Sequence, residues 1–469
     1  MPPSVIYQID RLIHPSMAER RNENVSSASR LLLLVLFFLS AAEAEGAAFT
    51  AAEADAAISR FQEYLRIDTA HPSPDYAAAA AFLRSQADSL SLKHETLEFV
   101  AGKPLLLLKW PGRRPSLPSL LLNSHTDVVP AERHKWVHPP FSAALGSEGN
   151  IYARGSQDMK CVGIQYLEAI RRLKAARFVP DRTIYISFVP DEEIGGTDGV
   201  GALVASDTFK QMRVGVVLDE GLASPRPEYR VFYGERCPWW LVIRAQGAPG
   251  HGAKLYDGSA MENVMKSVEA VRRFRAAQFD LVKTGTKVEG EVVSVNLVYL
   301  KAGIPSPTGF VMNLQPSEAE VGLDIRVPPN TDPKALEKRI AEEWAPSSRN
   351  MTYEFKQKVS VYDMFGKPAI TAADRSNSWW ILFEEAVKEA NGKLSKPEIF
   401  PASTDARFFR ELGIPAFGFS PMANTPILLH DHNEFLNKEE YLKGVTIYES
   451  IIKAFASYKD EVEESRAEL

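Results

Sequence analysis

The sequence predicts an α/β protein whose chain leaves its central sheet, builds a separate α+β layer and then returns. Three observations carry this. The apolar runs 119–123, 184–189 and 214–218 each pass straight into polar or acidic residues, as buried strands of an α/β sheet do at their carboxyl ends. After Pro238 the period changes: Val293, Val295, Leu297 and Tyr299 alternate with polar or small residues, as do Val321, Leu323, Ile325 and Val327, the signature of one-sided antiparallel strands. From about Val361 the first pattern resumes.

In chain order, the first 45 residues stand apart. Arg20, Arg21 and Arg30 precede the apolar run 31–39, which even with Ser40, Ala41 and Ala42 falls short of the roughly 20 residues a membrane-crossing helix needs. It suits the apolar core of a signal peptide, and Ala42-Glu43-Ala44 supplies the small-x-small cleavage site. Residues 1–44 are expected to be a signal peptide starting at Met1 or Met17, with an uncleaved anchor as the alternative. Asn350-Met351-Thr352 is an N-glycosylation sequon compatible with that route. The expected location is the endoplasmic reticulum lumen or the extracellular space, with the cytoplasm as the alternative.

Residues 105–110 read as a further buried strand. Val162, Ile164, Leu167, Ile170 and Leu173 fall near helical spacing and close on the basic turn Arg171, Arg172 and Lys174. Helical segments 261–276 and 333–343 lie within the second layer, and a helix over 377–390, a strand over 414–420 and a final helix over 438–458 complete the chain. The expected parts are 45–237 and 356–469 for one domain and 238–355 for the insert. Pro238-Trp239-Trp240 reads as packing between them.

The 469 residues, 45% apolar and 24% charged, exclude a disordered or fibrous chain, and a formal charge of −6 without a basic block excludes a nucleic-acid surface. A small molecule is the expected partner. Cys161 and Cys237 read as free thiols, Cys161 within the apolar face of its helix.

Five clusters rich in His, Asp and Glu follow predicted strands or occupy the loops beyond: 124–127, 155–160, 190–196, 219–221 and 429–434. Nitrogen and carboxylate donors without thiolate suit a catalytic Zn²⁺, with Mn²⁺ or Co²⁺ as alternatives. In His125-Thr126-Asp127 the alternation of an extended backbone lets His125 bind metal while Asp127 holds its other ring nitrogen. Adjacent Glu192 and Glu193 cannot point the same way, so one can bind metal while the other faces substrate as a general base. Gly195 and Gly196 permit a tight approach behind them. Gly250-His251-Gly252 puts an imidazole on a turn at the start of the insert.

Taken together, Asn123-Ser-His-Thr-Asp-Val-Val-Pro130, Gly155-Ser-Gln-Asp-Met-Lys-Cys161, Pro190-Asp-Glu-Glu-Ile-Gly-Gly196, Leu218-Asp-Glu-Gly221, Gly250-His-Gly252 and Leu428-Leu-His-Asp-His-Asn-Glu434 closely resemble the two-zinc aminoacylase/carboxypeptidase G2 hydrolase family. The likeness runs in the family's order from about residue 52 to 458; the leader departs from the cytosolic aminoacylases. The resemblance implies a zinc-exopeptidase-like catalytic domain with an inserted α+β dimerisation (lid) domain, and two Zn²⁺ ions per subunit. It implies that Asp158 bridges them, with His125 and Glu220 on one ion and Glu193 and His430 on the other. Glu220 rather than Asp219, and His430 rather than His432, match the family's pattern; spacing alone does not decide.

By the same resemblance Glu192 is the general base and Asp127 supports His125. His251 would reach a partner subunit's site as an electrophilic donor, which implies a homodimer. Arg407 and Arg326 are candidates for the substrate carboxylate, and Asn313, in Asn313-Leu-Gln-Pro316, for substrate binding. The implied reaction is hydrolysis of N-acyl-L-amino acids to a carboxylate and an L-amino acid, with a dipeptidase or desuccinylase of the same family as the alternative. A catalytically silent binding protein on the same scaffold is disfavoured, because all the ligands and the base are present. No nucleic acid and, after signal cleavage, no stable membrane insertion is expected.

Overall fold

A computed structural model describes residues 48–459, and the unit beginning at Ala51 carries every element below. The leader expected over residues 1–44 lies outside the described residues. Among the described residues no helix is long and apolar enough to cross a membrane.

The strands of the two main sheets, in chain order, are β1 (Lys93–Val100), β2 (Lys103–Trp110), β3 (Ser119–His125), β4 (Ile184–Val189), β5 (Val214–Asp219), β6 (Val231–Glu235), β7 (Cys237–Gln246), β8 (Ser294–Ala302), β9 (Glu318–Val327), β10 (Met351–Lys358), β11 (Glu398–Phe400) and β12 (Ala416–Phe419). Eight form a mixed sheet in the order β1-β2-β4-β3-β5-β12-β6-β11. At its centre β3 runs parallel to both β4 and β5, with His125 opposite Val189 and Leu122 opposite Leu218. The carboxyl ends of three parallel strands therefore open on one side of the sheet, where ligands of α/β proteins collect.

Burial explains the strand sequences. Every residue of β3 and β4 is buried, so neither needs to alternate. Leu105, Leu107, Leu121, Tyr185 and Val217 share one packed cluster with Phe209, Met212 and Phe409. The main helices of this part are α1 (Ala51–Leu65), α2 (Tyr76–Ser89), α3 (Lys160–Ala175), α5 (Ser378–Glu389), α6 (Ala406–Glu411) and α7 (Lys438–Ser457), with α4 (Ala260–Lys283) lying in the insert. Cys161 is fully buried on α3, and both cysteines are free.

The insert forms its own sheet, β8-β9-β7-β10, backed by α4 (Ala260–Lys283). Trp239, Leu241, Ile243 and Ala245 of β7 and Val321, Leu323, Ile325 and Val327 of β9 share its core with Trp344. Each large aliphatic side chain taken fully from water there contributes about 1.5–3 kcal/mol. Two expectations are corrected. Trp239 is buried, but strand alternation turns Trp240 the other way and leaves it 48% exposed. Val293 and Val295 are buried, whereas Leu297, Val298, Tyr299 and Leu300 are all exposed, because β8 is an edge strand with a register shift between Leu297 and Tyr299.

Candidate metal centre

His125 is the last residue of β3, and the next residue is tied to β4 by its N–H on the Val189 carbonyl at 2.8 Å. Its Nδ1 lies 2.9 Å from the Asp127 backbone carbonyl, which makes Nδ1 the donor and turns Nε2 toward the acids. Nε2 is 3.0 Å from Asp158 Oδ1 and 3.7 Å from Glu220 Oε2. The other Asp158 oxygen, Oδ2, lies 3.3 Å from His430 Nε2, which is also 3.2 Å from Glu193 Oε2. One carboxylate thus spans two histidines, each with its own glutamate. Asp219 faces elsewhere and accepts a hydrogen bond from Asn123 Nδ2 at 3.1 Å.

The donor set fits a pair of divalent cations. Glu193 Oε1 is buried without a hydrogen-bond partner. Donor atoms of His125, Asp158 and Glu193, and of His125, Glu192 and Glu220, gather within 4.8 Å of one another. Burial first, then neighbouring acids, raises the carboxyl pKa values of Glu192, Glu193 and Glu220. Such crowding is relieved by positive charge, and four carboxylates balance two dications. Burial opposes charge on His125, but Asp127, Asp158 and Glu220 outweigh it and raise its pKa well above the usual value.

The Asp127 carboxylate also does a second job. Besides lying 3.6 Å from His125 Nδ1, it accepts the N–H of Glu193 at 3.1 Å and of Glu192 at 3.3 Å. His71 Nε2 completes its shell at 2.9 Å. Asp127 therefore anchors the acidic turn as much as the histidine, whose ring is fixed by the backbone oxygen.

Glu434, which sequence reasoning quoted only as part of a motif, is fully buried and organises the Asp158 loop. Its carboxylate accepts the N–H groups of Gln157 at 2.6 Å and Gly155 at 3.2 Å and pairs with Arg154 at 2.8 Å. Gln157 in turn bonds Pro426, Phe435 and Leu428, so the loops carrying Asp158 and His430 are held as one piece.

The acids open into a cavity of about 580 Å³. Asp158, Glu192, Glu193, Glu220 and His430 line it together with Trp240, Arg326 and Lys356 of the inserted sheet and with Phe400, Arg407 and Leu429. Arg407 donates to the Gly195 carbonyl at 2.6 Å, at the far end of the acidic turn. Arg326 is held bidentately by Asp324 at 2.9 and 3.0 Å. His251 and Asn313 do not line the cavity. They neighbour each other where residues 250–251 pair with 314–315 and the Gly252 N–H meets the Asn313 carbonyl at 2.8 Å. Sequence reasoning reads Trp240 as packing rather than as cavity lining, and it does not single out Tyr76, Lys103 or Glu434, whose partners Asp191, Arg154 and Gln157 lie far from them in the chain.

A model described as peptidase family M20/M25/M40 matches residues 121–454. Aminoacylase-1 of Mus musculus is 45% identical over 401 residues, covering 85% of this chain and 95% of that protein. Aminoacylase-1 of Dictyostelium discoideum is 45% identical over 399 residues, covering 84% and 95%. Among solved structures, aminopeptidase PepT of Bacillus cereus aligns with a TM-score of 0.66 at 16% identity, covering 86% of this chain and 99% of that one. A dinuclear metal-binding peptidase of the M20 family from Bacillus subtilis aligns with a TM-score of 0.62 at 14% identity, covering 87% and 99%. These two share the fold.

Proposed function

Because this chain belongs to peptidase family M20/M25/M40, we propose that it works as a metal-dependent aminoacylase that hydrolyses N-acyl-L-amino acids to a carboxylate and an L-amino acid. The observation that carries the reading is Asp158, whose two oxygens face two separate histidine–glutamate pairs. His125 and Glu220 would hold one ion and His430 and Glu193 the other, and the nitrogen and oxygen donors favour Zn²⁺. When bound, such a pair supplies Lewis acidity and lowers the pKa of the attacking water toward about 7.

The chain's own groups do the rest. Glu192 makes no hydrogen bond or ion pair through its carboxylate among the described residues, and it faces the cavity. It is the group that takes the water's proton and returns it to the leaving amine nitrogen. Arg407, in the cavity lining, suits the substrate carboxylate because a planar guanidinium matches it bidentately. Arg326 is the second candidate; both guanidinium groups already have partners, Asp324 for Arg326 and Ser403, Thr404 and Gly195 for Arg407.

His251 and Asn313 lie outside their own chain's cavity, which supports their delivery to the site of a second copy in a homodimer. The exposed apolar edge strand β8 is the surface that favours pairing with that copy. The leader supports a secretory location, and Asn350 is exposed at a left-handed turn where a glycan can be attached. A mobility shift on endoglycosidase treatment of protein made in a secretory host supports that route; an unglycosylated cytosolic product contradicts it.

The test of function is a substrate panel with metal analysis. N-acetyl-Met hydrolysed well ahead of β-Ala-His and succinyl-diaminopimelate, by protein holding two zinc ions per chain, supports the proposal. Preference for either competitor contradicts it.

A further inference from the structure

The turn 191–196 carries two adjacent acids with different jobs, and its first residue is costly for a free chain: Asp191 has φ of 64°, whereas the positive φ of 115° and 62° further on falls on Gly195 and Gly196, which adopt it readily. Its first residue is clamped by groups remote in sequence. Tyr76 begins α2, whose N-cap Asp75 accepts the Ala78 N–H, so the phenol stands on a rigid element. The Tyr76 hydroxyl donates to Asp191 Oδ1 at 2.6 Å and accepts the Asp191 N–H at 3.0 Å. Lys103, the first residue of β2, pairs with the other Asp191 oxygen and with Asp198 at 2.6 Å. Asp191 is 2% exposed, so its bonds with Tyr76 are shielded from water, while Lys103 and Asp198 stand nearer the surface.

We infer that Tyr76 and Lys103 are positioning residues, which act through Asp191 to aim Glu192 and Glu193 at the reaction cavity. Neither lines that cavity, so neither touches substrate. They fix the start of the turn, as Asp127 fixes its two central N–H groups and Arg407 its far end. The inference rests on the proposed role of Glu192.

Tyr76→Phe removes one hydroxyl and keeps the ring. Because misplacement by about 1 Å costs on the order of 10²-fold, kcat for N-acetyl-Met is expected to fall at least ~10-fold with KM within about twofold. Amide hydrogen exchange is expected to quicken in residues 191–196 and not in α3. Lys103→Met moves both readouts the same way, and Lys103→Arg restores them. If Tyr76→Phe does not fold, Lys103→Met, at a partly exposed site, carries the test. Unchanged kcat and exchange, or exchange that rises throughout the chain, overturns the inference. A wild-type protein inactive on every N-acyl amino acid refutes the aminoacylase reading instead, while the local exchange still decides the positioning role.

Discussion

Glu434→Gln removes a negative charge from a site closed to water. In the native chain that carboxylate neutralises Arg154 at 2.8 Å and accepts the N–H groups of Gln157 and Gly155. The amide keeps one acceptor and turns an NH₂ group toward donors, leaving a buried guanidinium without its counter-ion. Removing one partner of a buried ion pair costs about 3–5 kcal/mol, a figure that already includes most of the desolvation penalty of the stranded donors. Arg154 also donates to the Asp431 carbonyl at 3.1 Å, beside His430, so the change loosens the Asp158 and His430 loops together. Urea unfolding is expected to show a loss of about 3–5 kcal/mol, and chelator competition a faster loss of metal. A variant within about 1 kcal/mol of wild type, with unchanged metal retention, refutes the claim that Glu434 organises the centre.

His71→Gln tests the other carboxylate anchor by pH. The bond to Asp127 raises the His71 pKa, so its stabilising contribution is complete below the unfolded value of about 6.5 and fades as pH climbs through the folded value. The stability gap between wild type and variant should therefore narrow as pH rises above about 6.5, and a gap that widens sinks the assignment. At Gly196 a methyl group would collide with buried Asp405, whereas at Gly195 it would meet nothing within 4 Å. Gly196→Ala should cost far more activity than Gly195→Ala, which pays only backbone strain of about 1–3 kcal/mol; the reverse order contradicts the packing. Trp240→Ala should raise KM by ~10-fold or more for substrates with large apolar groups and leave small ones nearly unchanged. Equal effects on both would remove Trp240 from the substrate wall.

What the sequence could reveal tracks the range of the interactions. The strands ending at Asn123, Val189 and Leu218 were legible because burial on both faces writes continuous apolar runs, and the acids beyond them follow from the same topology. The pairing of His125 with Glu220 and of His430 with Glu193 was reached through family resemblance, since His430 lies more than 200 residues from Glu193 and no spacing rule connects them. Asp127 was half legible: its position beside His125 was right, but its carboxylate also takes the N–H groups of Glu192 and Glu193 across the sheet. Trp240 was misread because two adjacent tryptophans look alike in sequence, while a strand sends them to opposite faces. On β8 the alternating pattern was real, yet alternation cannot say how far a neighbouring layer extends, and Leu297 and Tyr299 lie beyond the cover.

In the proposed function Glu192 moves the proton while Asp158, His125, Glu220, Glu193 and His430 hold the metals. Glu192→Gln keeps the size and removes the basicity, so single-turnover hydrolysis of N-acetyl-Met by metal-loaded protein separates the two jobs. The expected result is two metal ions per chain, as in wild type, with turnover below about one per cent, in line with the ~10²–10⁴-fold that a positioned base contributes. Retention of more than that activity at full metal content, or loss of the metals with the base, contradicts it.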